Sequence, residues 1–337
     1  MVRIKDIAQK CRVSISTVSK ALNGASDLSD KTANRIKRVA ADMGYIPNAN
    51  ARVLKTNRSH NIGVLFVDNT SSGLKHEYFS SMLNSIKVEA ESKGFDITFI
   101  SNLIGKDAKS YYEHAAYRGC DGVIIASVDF TDPQVVELVN SNIPTVTIDY
   151  TFNNRSSIMS DNIAGLEDIV NYLVKMGHSK IAFIHGEETA VTNKRLTSFY
   201  RTCKANGIQV PEDYVKNGLY HHPQSSGLAT RELLEMKDRP TCIIYPDDYS
   251  MLGGITEIEK HGLKVYDDIS IVGYDGIELS RFIRPMFTTY VQDSEQIGRL
   301  AADQLIETIE NPLTTEAQMI TVKGHLQEGK TVKALTN

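Results

Sequence analysis

Basic side chains are concentrated at the N-terminal end of this 337-residue chain. The first 59 residues contain twelve lysines or arginines, four aspartates and no glutamate, a net charge of +8. The other 278 residues carry 25 basic and 37 acidic side chains, so the overall charge of −4 conceals a basic segment joined to an acidic body. A solvated basic face is the simpler interpretation of such a segment. An excess of this size in patterned sequence instead matches the footprint that nucleic-acid phosphates require.

A helix-turn-helix pattern lies inside the basic segment. Apolar residues recur at helical spacing through the first 45 residues and predict three short helices. The small Ala8 falls where two helices would cross, Val13 falls at the turn, and Val18 anchors the second helix. Polar residues at the start of that helix, with Lys20 one turn later, would lie along a major groove and reach base edges. A three-helix bundle without function would show the same periodicity, and the basic excess favours DNA binding.

The ends of these helices are also readable. Ser14 and Ser29 are predicted to cap the second and third helices, and Gly44 stands where a helix C-terminus favours positive φ. Residues 47–61 contain too few large apolar side chains to fold alone and are interpreted as a linker.

Beyond the linker, short β-branched runs alternate with longer amphipathic segments, a pattern typical of βαβ units and parallel sheets. Strands are predicted at 62–67, 95–100, 122–126, 145–148, 181–185, 242–245 and 269–274. Helices are predicted at 78–93, 108–118, 134–140, 163–176, 194–206, 226–236, 250–261 and 294–310. Roughly 270 residues of α/β structure exceed what one doubly wound sheet usually holds, so we expect two lobes.

Several other classes of protein are disfavoured. No apolar run approaches the roughly 18 residues that a membrane helix needs, and the charged start Met-Val-Arg-Ile-Lys-Asp does not resemble a signal peptide, so we expect a cytoplasmic protein. The four cysteines are isolated, which predicts reduced, structural thiols and no zinc site: Cys11, Cys120, Cys203 and Cys242. The usual nucleotide-binding, zinc-protease and esterase motifs do not occur, which lowers the expectation of catalysis.

Two further groups of residues are weighed and set aside. Four histidines have no partner at metal-ligand spacing, so we assign no metal and no catalytic role to His178, His185, His221 and His222. Asp247 and Asp248 follow an apolar strand, but adjacent side chains of an extended chain point to opposite sides. We therefore expect one of them to face a cleft and do not expect a shared-proton acid pair.

Taken together, the motifs resemble the lactose-repressor (LacI/GalR) family of bacterial transcription regulators nearly from end to end. The resemblance rests on Ile-Lys-Asp-Ile-Ala at residues 4–8, Val-Ser-Ile-Ser-Thr-Val-Ser-Lys-Ala-Leu-Asn at 13–23, Leu-Ser-Asp-Lys-Thr at 28–32 and Met-Gly-Tyr-Ile-Pro-Asn-Ala at 43–49. Further along the chain it includes residues 160–162, 177–178, 194–196, 271–275 and 287–289. It implies a repressor with a helix-turn-helix headpiece and a two-lobed core like that of periplasmic binding proteins, built on two parallel doubly wound sheets.

The resemblance also implies a homodimer that binds a near-palindromic, double-stranded operator. Its DNA-binding positions fall on Ile15, Ser16, Thr17, Lys20, Asn23, Ser29, Ala51, Arg52, Leu54 and Lys55. Leu54 corresponds to the leucine that unstacks a central base step in the minor groove, and its neighbours belong to a short hinge helix that forms on the operator. Residues 321–337 lack apolar heptads, so we expect a dimer rather than a tetramer.

Two residues depart from the family pattern. Arg12 stands at a turn where the family usually has glycine, a position that calls for positive φ and costs a bulky residue about 1 kcal/mol. Asn50 replaces the usual apolar hinge residue and weakens the apolar contact expected between two hinge helices.

The implied effector is a small carbohydrate bound between the lobes. The resemblance places Phe79, Asp149, Tyr150, Arg195, Tyr220, Asp247 and Asp275 around it, with Tyr78 and Asp248 as weaker neighbours. Arginine and aspartate make charge-assisted contacts to vicinal hydroxyls, and an aromatic face packs on a sugar ring. The alternative roles of these residues are helix capping and surface ion pairs. Since Asp247 stands where the family usually has asparagine, we expect a neutral sugar rather than a strongly anionic effector.

The domain boundaries follow from the same comparison. They are a DNA-binding domain at 1–46, a hinge helix and linker at 47–60, an N-terminal lobe at 61–161 and 291–322, and a C-terminal lobe at 162–290 and 323–337. The sequence predicts no cofactor. The alternative function is that of a cytoplasmic sugar-binding protein or sugar-metabolising enzyme with an incidental basic N-terminus.

Overall fold

The computed structural model describes residues 2–22, 27–45, 58–67, 73–104 and 107–335. The chain forms two compact units, Met1–Ser59 and His60–Asn337, which we call the headpiece and the core. Among the described residues, no helix has both the length and the apolar character needed to cross a membrane.

The headpiece contains the three helices that the periodicity predicts: α1 (Ile4–Cys11), α2 (Ile15–Leu22) and α3 (Asp30–Asp42). Their apolar faces meet around the fully buried side chains of Ile7, Val18 and Ile36. Since α1 and α2 are only eight residues long, their stability depends on this packing more than on helix propensity.

The predicted helix ends are mostly confirmed. The hydroxyl oxygen of Ser14 accepts a hydrogen bond from the Thr17 amide at 3.0 Å, and Gly44 adopts φ +66° after α3. Ser29 occupies the N-cap position of α3, but its hydroxyl donates to Thr32 Oγ1 at 3.0 Å instead of accepting a backbone N–H. The side-chain cap predicted for Ser29 is therefore wrong, because its hydroxyl is turned towards the Thr32 side chain and accepts no backbone N–H of α3.

Arg12 confirms the left-handed turn between α1 and α2. Its backbone lies at φ 51° and ψ 48°, and the amide of Val13 donates to the carbonyl of Ala8 at 3.0 Å. The turn thus keeps the conformation that glycine would favour, at a cost of about 1 kcal/mol for a residue with a Cβ.

The core alternates strands and helices over its whole length. In chain order its elements are β1 (Asn61–Phe66), a 3-10 turn (Gly73–Lys75), α4 (Glu77–Ser92), β2 (Asp96–Ile100), β3 (Leu103–Ile104), β4 (Asp107–Ala108), α5 (Tyr111–Tyr117), β5 (Gly122–Ala126), α6 (Pro133–Asn140), β6 (Thr145–Ile148), β7 (Ser156–Ser160), α7 (Asn162–Lys175), β8 (Ile181–His185), α8 (Ala190–Ala205), a second 3-10 turn (Glu212–Tyr214), β9 (Val215–Asn217), α9 (Pro223–Leu234), β10 (Cys242–Ile244), α10 (Asp248–Lys260), β11 (Ser270–Asp275), α11 (Leu279–Phe282), β12 (Thr289–Val291), α12 (Ser294–Glu310), β13 (Met319–Val322) and β14 (His325–Gln327).

Two six-stranded sheets define two lobes. The first sheet has the order β13-β7-β6-β5-β1-β2 and is parallel throughout. The second has the order β14-β12-β11-β10-β8-β9, with β14 antiparallel at its edge. Each sheet has a buried apolar layer on both faces, as parallel sheets require. The prediction of two parallel doubly wound sheets is confirmed, apart from the antiparallel edge strand β14.

The chain passes between the lobes three times, after β7, after β12 and after β13. These passages place β12 and β14 in the second sheet and α12 and β13 in the first lobe, where α12 packs on α4. Both lobes are therefore discontinuous in sequence, and a change in their relative position bends the chain at three places at once.

All seven predicted core strands and all eight predicted core helices are present, with ends shifted by a few residues. The sequence did not predict β3, β4, β7, β9, β12, β13 and β14. Of these, β7 is fully buried although its sequence is Ser-Ser-Ile-Met-Ser. Its position between β6 and β13 buries these serines, and the backbone pairing on both sides satisfies the peptide groups that a serine-rich segment would otherwise expose.

Candidate effector cleft and DNA-binding helix

The second headpiece helix, α2, presents a polar face to solvent. Val18 and Ala21 are buried against the other two helices, whereas Ser16, Lys20 and the apolar Ile15 are exposed. Ile15 is 57% exposed, which is unusual for a large apolar residue in a small domain. An exposed isoleucine beside hydroxyls fits contact with a thymine methyl group in a major groove.

Hydrogen bonds hold the start of α2 in place. The Ser14 hydroxyl lies 2.7 Å from Ser16 Oγ and 2.8 Å from Thr17 Oγ1. Lys20 forms an exposed ion pair with Asp27. Because exposed ion pairs contribute little stability, Lys20 can exchange Asp27 for a base edge or a phosphate at small cost.

The remaining predicted DNA contacts divide into two groups. Ser29 is exposed at the start of α3, where a helix N-terminus favours an anion. Five predicted residues lie outside the described part of the chain: Asn23, Ala51, Arg52, Leu54 and Lys55. Their roles, and the effect of Asn50 on the hinge, stay predictions.

In the core, four predicted effector residues stand at or just after the carboxyl ends of strands. Asp149 follows β6 and Asp275 ends β11. Tyr220 comes three residues after β9, and Asp247 comes three residues after β10. Ligands of open parallel sheets bind at this edge, so the topology by itself brings these side chains towards one cleft.

Arg195 is the central cation of the cleft. Its side chain projects from α8, is 4% exposed, and donates from Nε to Asn162 Oδ1 at 2.7 Å and from Nη1 to the Pro246 carbonyl at 2.8 Å. The guanidinium carbon lies 3.6 Å from the centre of the Tyr274 ring and 5.6 Å from that of Tyr220. These contacts fix the guanidinium in one position, as ligand recognition by a planar donor requires.

Asp149 and Asp275 face this guanidinium from opposite lobes. Asp149 accepts hydrogen bonds from the amide of Ser160 at 2.7 Å and its hydroxyl at 3.4 Å. Asp275 accepts one from Gln292 Nε2 at 2.7 Å. Arg195 is close enough to lower the pKa of both carboxyl groups, although burial is the larger effect and raises both. The cation thus compensates part of the cost of burying two carboxylates.

The electrostatic environment separates Asp247 from Asp275. Burial alone would raise the pKa of Asp247, but the hydrogen bond and charge of His221 outweigh it and lower the pKa to about 2. Burial raises the pKa of Asp275 to about 6, against the lowering influence of His221 and Arg195. The environment therefore favours the charged form of Asp247 and makes Asp275 easier to protonate than an ordinary aspartate.

Three cleft residues other than glycine adopt left-handed backbone conformations: Asp149 at φ 61°, His221 at φ 55° and Asp275 at φ 97°. Such a conformation costs on the order of 1–3 kcal/mol and persists where the surrounding structure imposes it. The surrounding structure therefore holds Asp149, His221 and Asp275 in strained backbone conformations.

Aromatic side chains complete the cleft. The Phe79 ring lies 5.6 Å from that of His221, and the Tyr220 hydroxyl lies 2.9 Å from Thr192 Oγ1. Gly186 permits this position of Tyr220, since a Cβ there would lie 2.2 Å from the tyrosine ring. Tyr150 behaves differently, because its ring stacks on Phe130 with centroids 4.5 Å apart. Contacts of Arg195 and His221 link Phe79, Tyr220 and Asp247, whereas Tyr150 makes its ring contact with Phe130; the effector roles of all the predicted residues stay predictions.

Two residues of the cleft were missed or dismissed in the sequence. His76, just before α4, lies with its ring centroid 3.6 Å from that of His221. The amide of His221 donates to Asp247 Oδ2 at 2.8 Å. The sequence assigned no role to His221 and did not single out His76. The available signal for His221 was its position beside Tyr220 in the loop after β9.

Asp247 and Asp248 both have structural partners. Asp247 caps α10, because its carboxylate accepts a hydrogen bond from the Ser250 amide at 2.8 Å. Asp247 therefore has a capping role in addition to its position in the cleft. Asp248 accepts from the amides of Gly276 and Ile277 at 2.9 and 3.0 Å. Asp248 thereby ties α10 to the loop after β11.

A helix-turn-helix unit joined to a two-lobed α/β core with a polar inter-lobe cleft defines a ligand-responsive DNA-binding regulator. Residues 3–48 match the family described as "Bacterial regulatory proteins, lacI family", and residues 170–332 match the "Periplasmic binding protein-like domain". The chain is 30% identical over 340 residues to the "Probable HTH-type transcriptional repressor ExuR" of Bacillus subtilis strain 168, with all of both chains covered.

Two further similarities agree. The "HTH-type transcriptional repressor CytR" of Escherichia coli K12 is 29% identical, over 91% of this chain and 89% of that protein. The lac repressor dimer bound to operator and the anti-inducer ONPF has 27% identity and a TM-score of 0.84, with 99% of each chain covered. The chain belongs to the lacI family of bacterial regulatory proteins, and it is a helix-turn-helix transcriptional regulator.

The burial of Arg195 leads to a stability prediction. Arg195→Met removes the cation but leaves the half-buried Asp149 and the buried Asp275 without it, so the free energy of unfolding at neutral pH should fall by about 3 kcal/mol. Arg201→Met is the matched control on the same helix, because Arg201 makes only an exposed ion pair with Glu167. Its effect should stay below about 0.5 kcal/mol. Urea unfolding of the full-length variants measures both changes, and equal effects would contradict the role given to Arg195.

Proposed function

We propose that this protein represses a carbohydrate-utilisation operon and that a neutral mono- or oligosaccharide, bound between the core lobes, controls its affinity for operator DNA. The protein acts in the cytoplasm and performs no catalysis. The observation that carries the proposal is the buried guanidinium of Arg195, which hydrogen bonds fix in place within electrostatic reach of Asp149 of the first lobe and Asp275 of the second.

The chemistry of the cleft supports a sugar ligand. A fixed guanidinium with carboxylates on either side matches vicinal hydroxyls, which both donate and accept hydrogen bonds. The rings of Phe79 and Tyr220 provide apolar faces for the C–H side of a pyranose. Asp247 is held as an anion in the cleft beside Arg195, and this negative charge supports a neutral sugar over a sugar phosphate.

Control of DNA binding needs only a difference in effector affinity between two lobe arrangements. The effector residues are divided between the lobes, so any change in lobe position alters their distances from a bound sugar. The lac repressor structure, with operator and the anti-inducer ONPF both present, supports the same coupling by similarity.

We further propose a homodimer whose two headpieces occupy the half-sites of a near-palindromic operator. In this proposal Ile15, Ser16 and Lys20 contact base edges in the major groove. The other predicted residues contact phosphates or the minor groove. The domain boundaries predicted from the sequence belong to the same proposal. In it, the chain passes from one lobe to the other near residues 161, 291 and 322.

The role of Lys20 in DNA binding is tested by selection experiments. The wild-type protein and Lys20→Ala each select the sequences that they bind from a random pool of double-stranded DNA. The wild type should enrich a near-palindrome and lose affinity about 10³-fold between 50 and 200 mM salt. Lys20→Ala should change the enriched half-site, with a loss of discrimination of about 1–3 kcal/mol at one base pair. Fluorescence anisotropy on the enriched duplex and its single-base variants measures both quantities.

Lys37→Ala is the matched control for this experiment, because Lys37 is an exposed lysine of α3 and is not among the predicted DNA contacts. It should retain the wild-type half-site. A uniform loss of affinity in Lys20→Ala would make Lys20 a phosphate contact. A wild type that binds no DNA of operator length would favour the alternative, a sugar-binding protein or sugar-metabolising enzyme.

The effector class is tested by thermal unfolding against a panel of neutral sugars and sugar phosphates. A ligand at one hundred times its dissociation constant stabilises the folded state by about 2.7 kcal/mol, so a neutral sugar should raise Tm by a measurable amount. A sugar phosphate that binds more tightly than every neutral sugar would contradict the proposed charge preference.

A further inference from the structure

Three side chains with metal-binding atoms meet at the boundary between the lobes. His76 precedes α4 in the first lobe, His221 follows β9 in the second, and Asp275 ends β11 in the second. One nitrogen of each histidine and one carboxylate oxygen of Asp275 all lie within 4.8 Å of one another. His76 and Asp275 are buried, and the side chain of His221 is 10% exposed.

The donor set indicates the kind of ion. Two imidazole nitrogens and one carboxylate oxygen suit zinc and neighbouring divalent transition metals, whereas magnesium and calcium prefer oxygen ligands alone. Metal–ligand bonds of about 2.1 Å place tetrahedral donors roughly 3.4 Å apart. The donor atoms here lie within 4.8 Å of one another, so a bound ion would draw them closer together.

The supporting contacts match those of metal sites. Gln292 Nε2 donates to Asp275 Oδ1 at 2.7 Å, which orients the carboxylate. Asp247 accepts the backbone amide of His221 at 2.8 Å and lies 3.6 Å from its Nδ1. A carboxylate beside the ring of a histidine ligand is a common feature of metal sites.

Packing offers the simpler explanation of the two rings. His76 lies 5.4 Å from the Phe79 ring and 5.0 Å from the Tyr249 ring, as an aromatic side chain of any kind could. Packing does not account for the carboxylate of Asp275 beside both imidazoles, or for the hydrogen bond from Gln292 that orients this carboxylate. These features favour a ligand role.

We propose that His76, His221 and Asp275 bind one divalent transition-metal ion of the zinc class across the two lobes. Because His76 belongs to one lobe and the other ligands to the second, the ion stabilises the arrangement in which the lobes meet. Three protein ligands leave a fourth position for water or an effector hydroxyl. The regulatory consequence rests on the proposed function. The ion acts as a co-effector, because it stabilises the same arrangement of the lobes that a bound sugar selects.

The test begins with full-length, tag-free protein stripped of metal by a chelator. Titration with ZnCl₂ in a calorimeter, without sugar or DNA, should show one ion per chain. His76→Gln and His221→Gln should each weaken binding by at least tenfold. His325→Gln is the control, because His325 is an exposed residue of β14 outside the cluster, and it should bind zinc as the wild type does.

A second readout identifies the ligands directly. Co²⁺ in place of Zn²⁺ should give the visible absorption of a four-coordinate site in the wild type and lose it in both cleft variants. Circular dichroism confirms that each variant is folded, and if His76→Gln unfolds, His221→Gln carries the same test. A wild type that binds no zinc, or variants that bind it equally well, would overturn the proposal.

These outcomes are separable from those of the proposed function. Zinc binding without any response to sugars would retain the metal site and remove the carbohydrate effector. A sugar response without zinc binding would do the reverse.

Discussion

The core depends on one buried cation at the boundary between two lobes. Arg195 donates to Asn162 and to the Pro246 carbonyl, lies against the Tyr274 ring, and offsets the charge of carboxylates that approach from both sheets. A buried charge without partners is among the largest destabilising features that a protein can contain. The guanidinium of Arg195 offsets the charge of these carboxylates, and it is also the group best suited to bind a polar ligand. The stability of the core and the recognition of the ligand therefore depend on the same side chain.

The backbone around this cation explains how the site keeps its shape. Asp149 and Asp275 stand at strand ends in left-handed conformations, and hydrogen bonds from Ser160 and Gln292 hold their carboxylates. Strained residues of this kind persist only where the rest of the fold determines them. Since the strands belong to different sheets and the chain crosses between lobes three times, a change in lobe position is transmitted to every one of these carboxylates.

Much of the fold could be predicted from local patterns in the sequence. Periodicity located the helices and the apolar strands, and the family resemblance, in which glycine is usual at the turn, predicted positive φ at Arg12. Short or polar strands such as β7 were missed, because their strand character comes from neighbouring strands and not from their own side chains. His76 was missed for the same kind of reason: nothing in its local sequence indicates a contact with His221, 145 residues later in the chain.

The most direct test of the account measures coupling in both directions. The operator dissociation constant is determined with and without saturating effector, and the effector dissociation constant with and without operator, at one salt concentration. Linkage requires the two ratios to be equal, and we expect a factor between about 5 and 150. An effector that occupies the cleft but leaves operator affinity unchanged would contradict the claim that the cleft controls DNA binding.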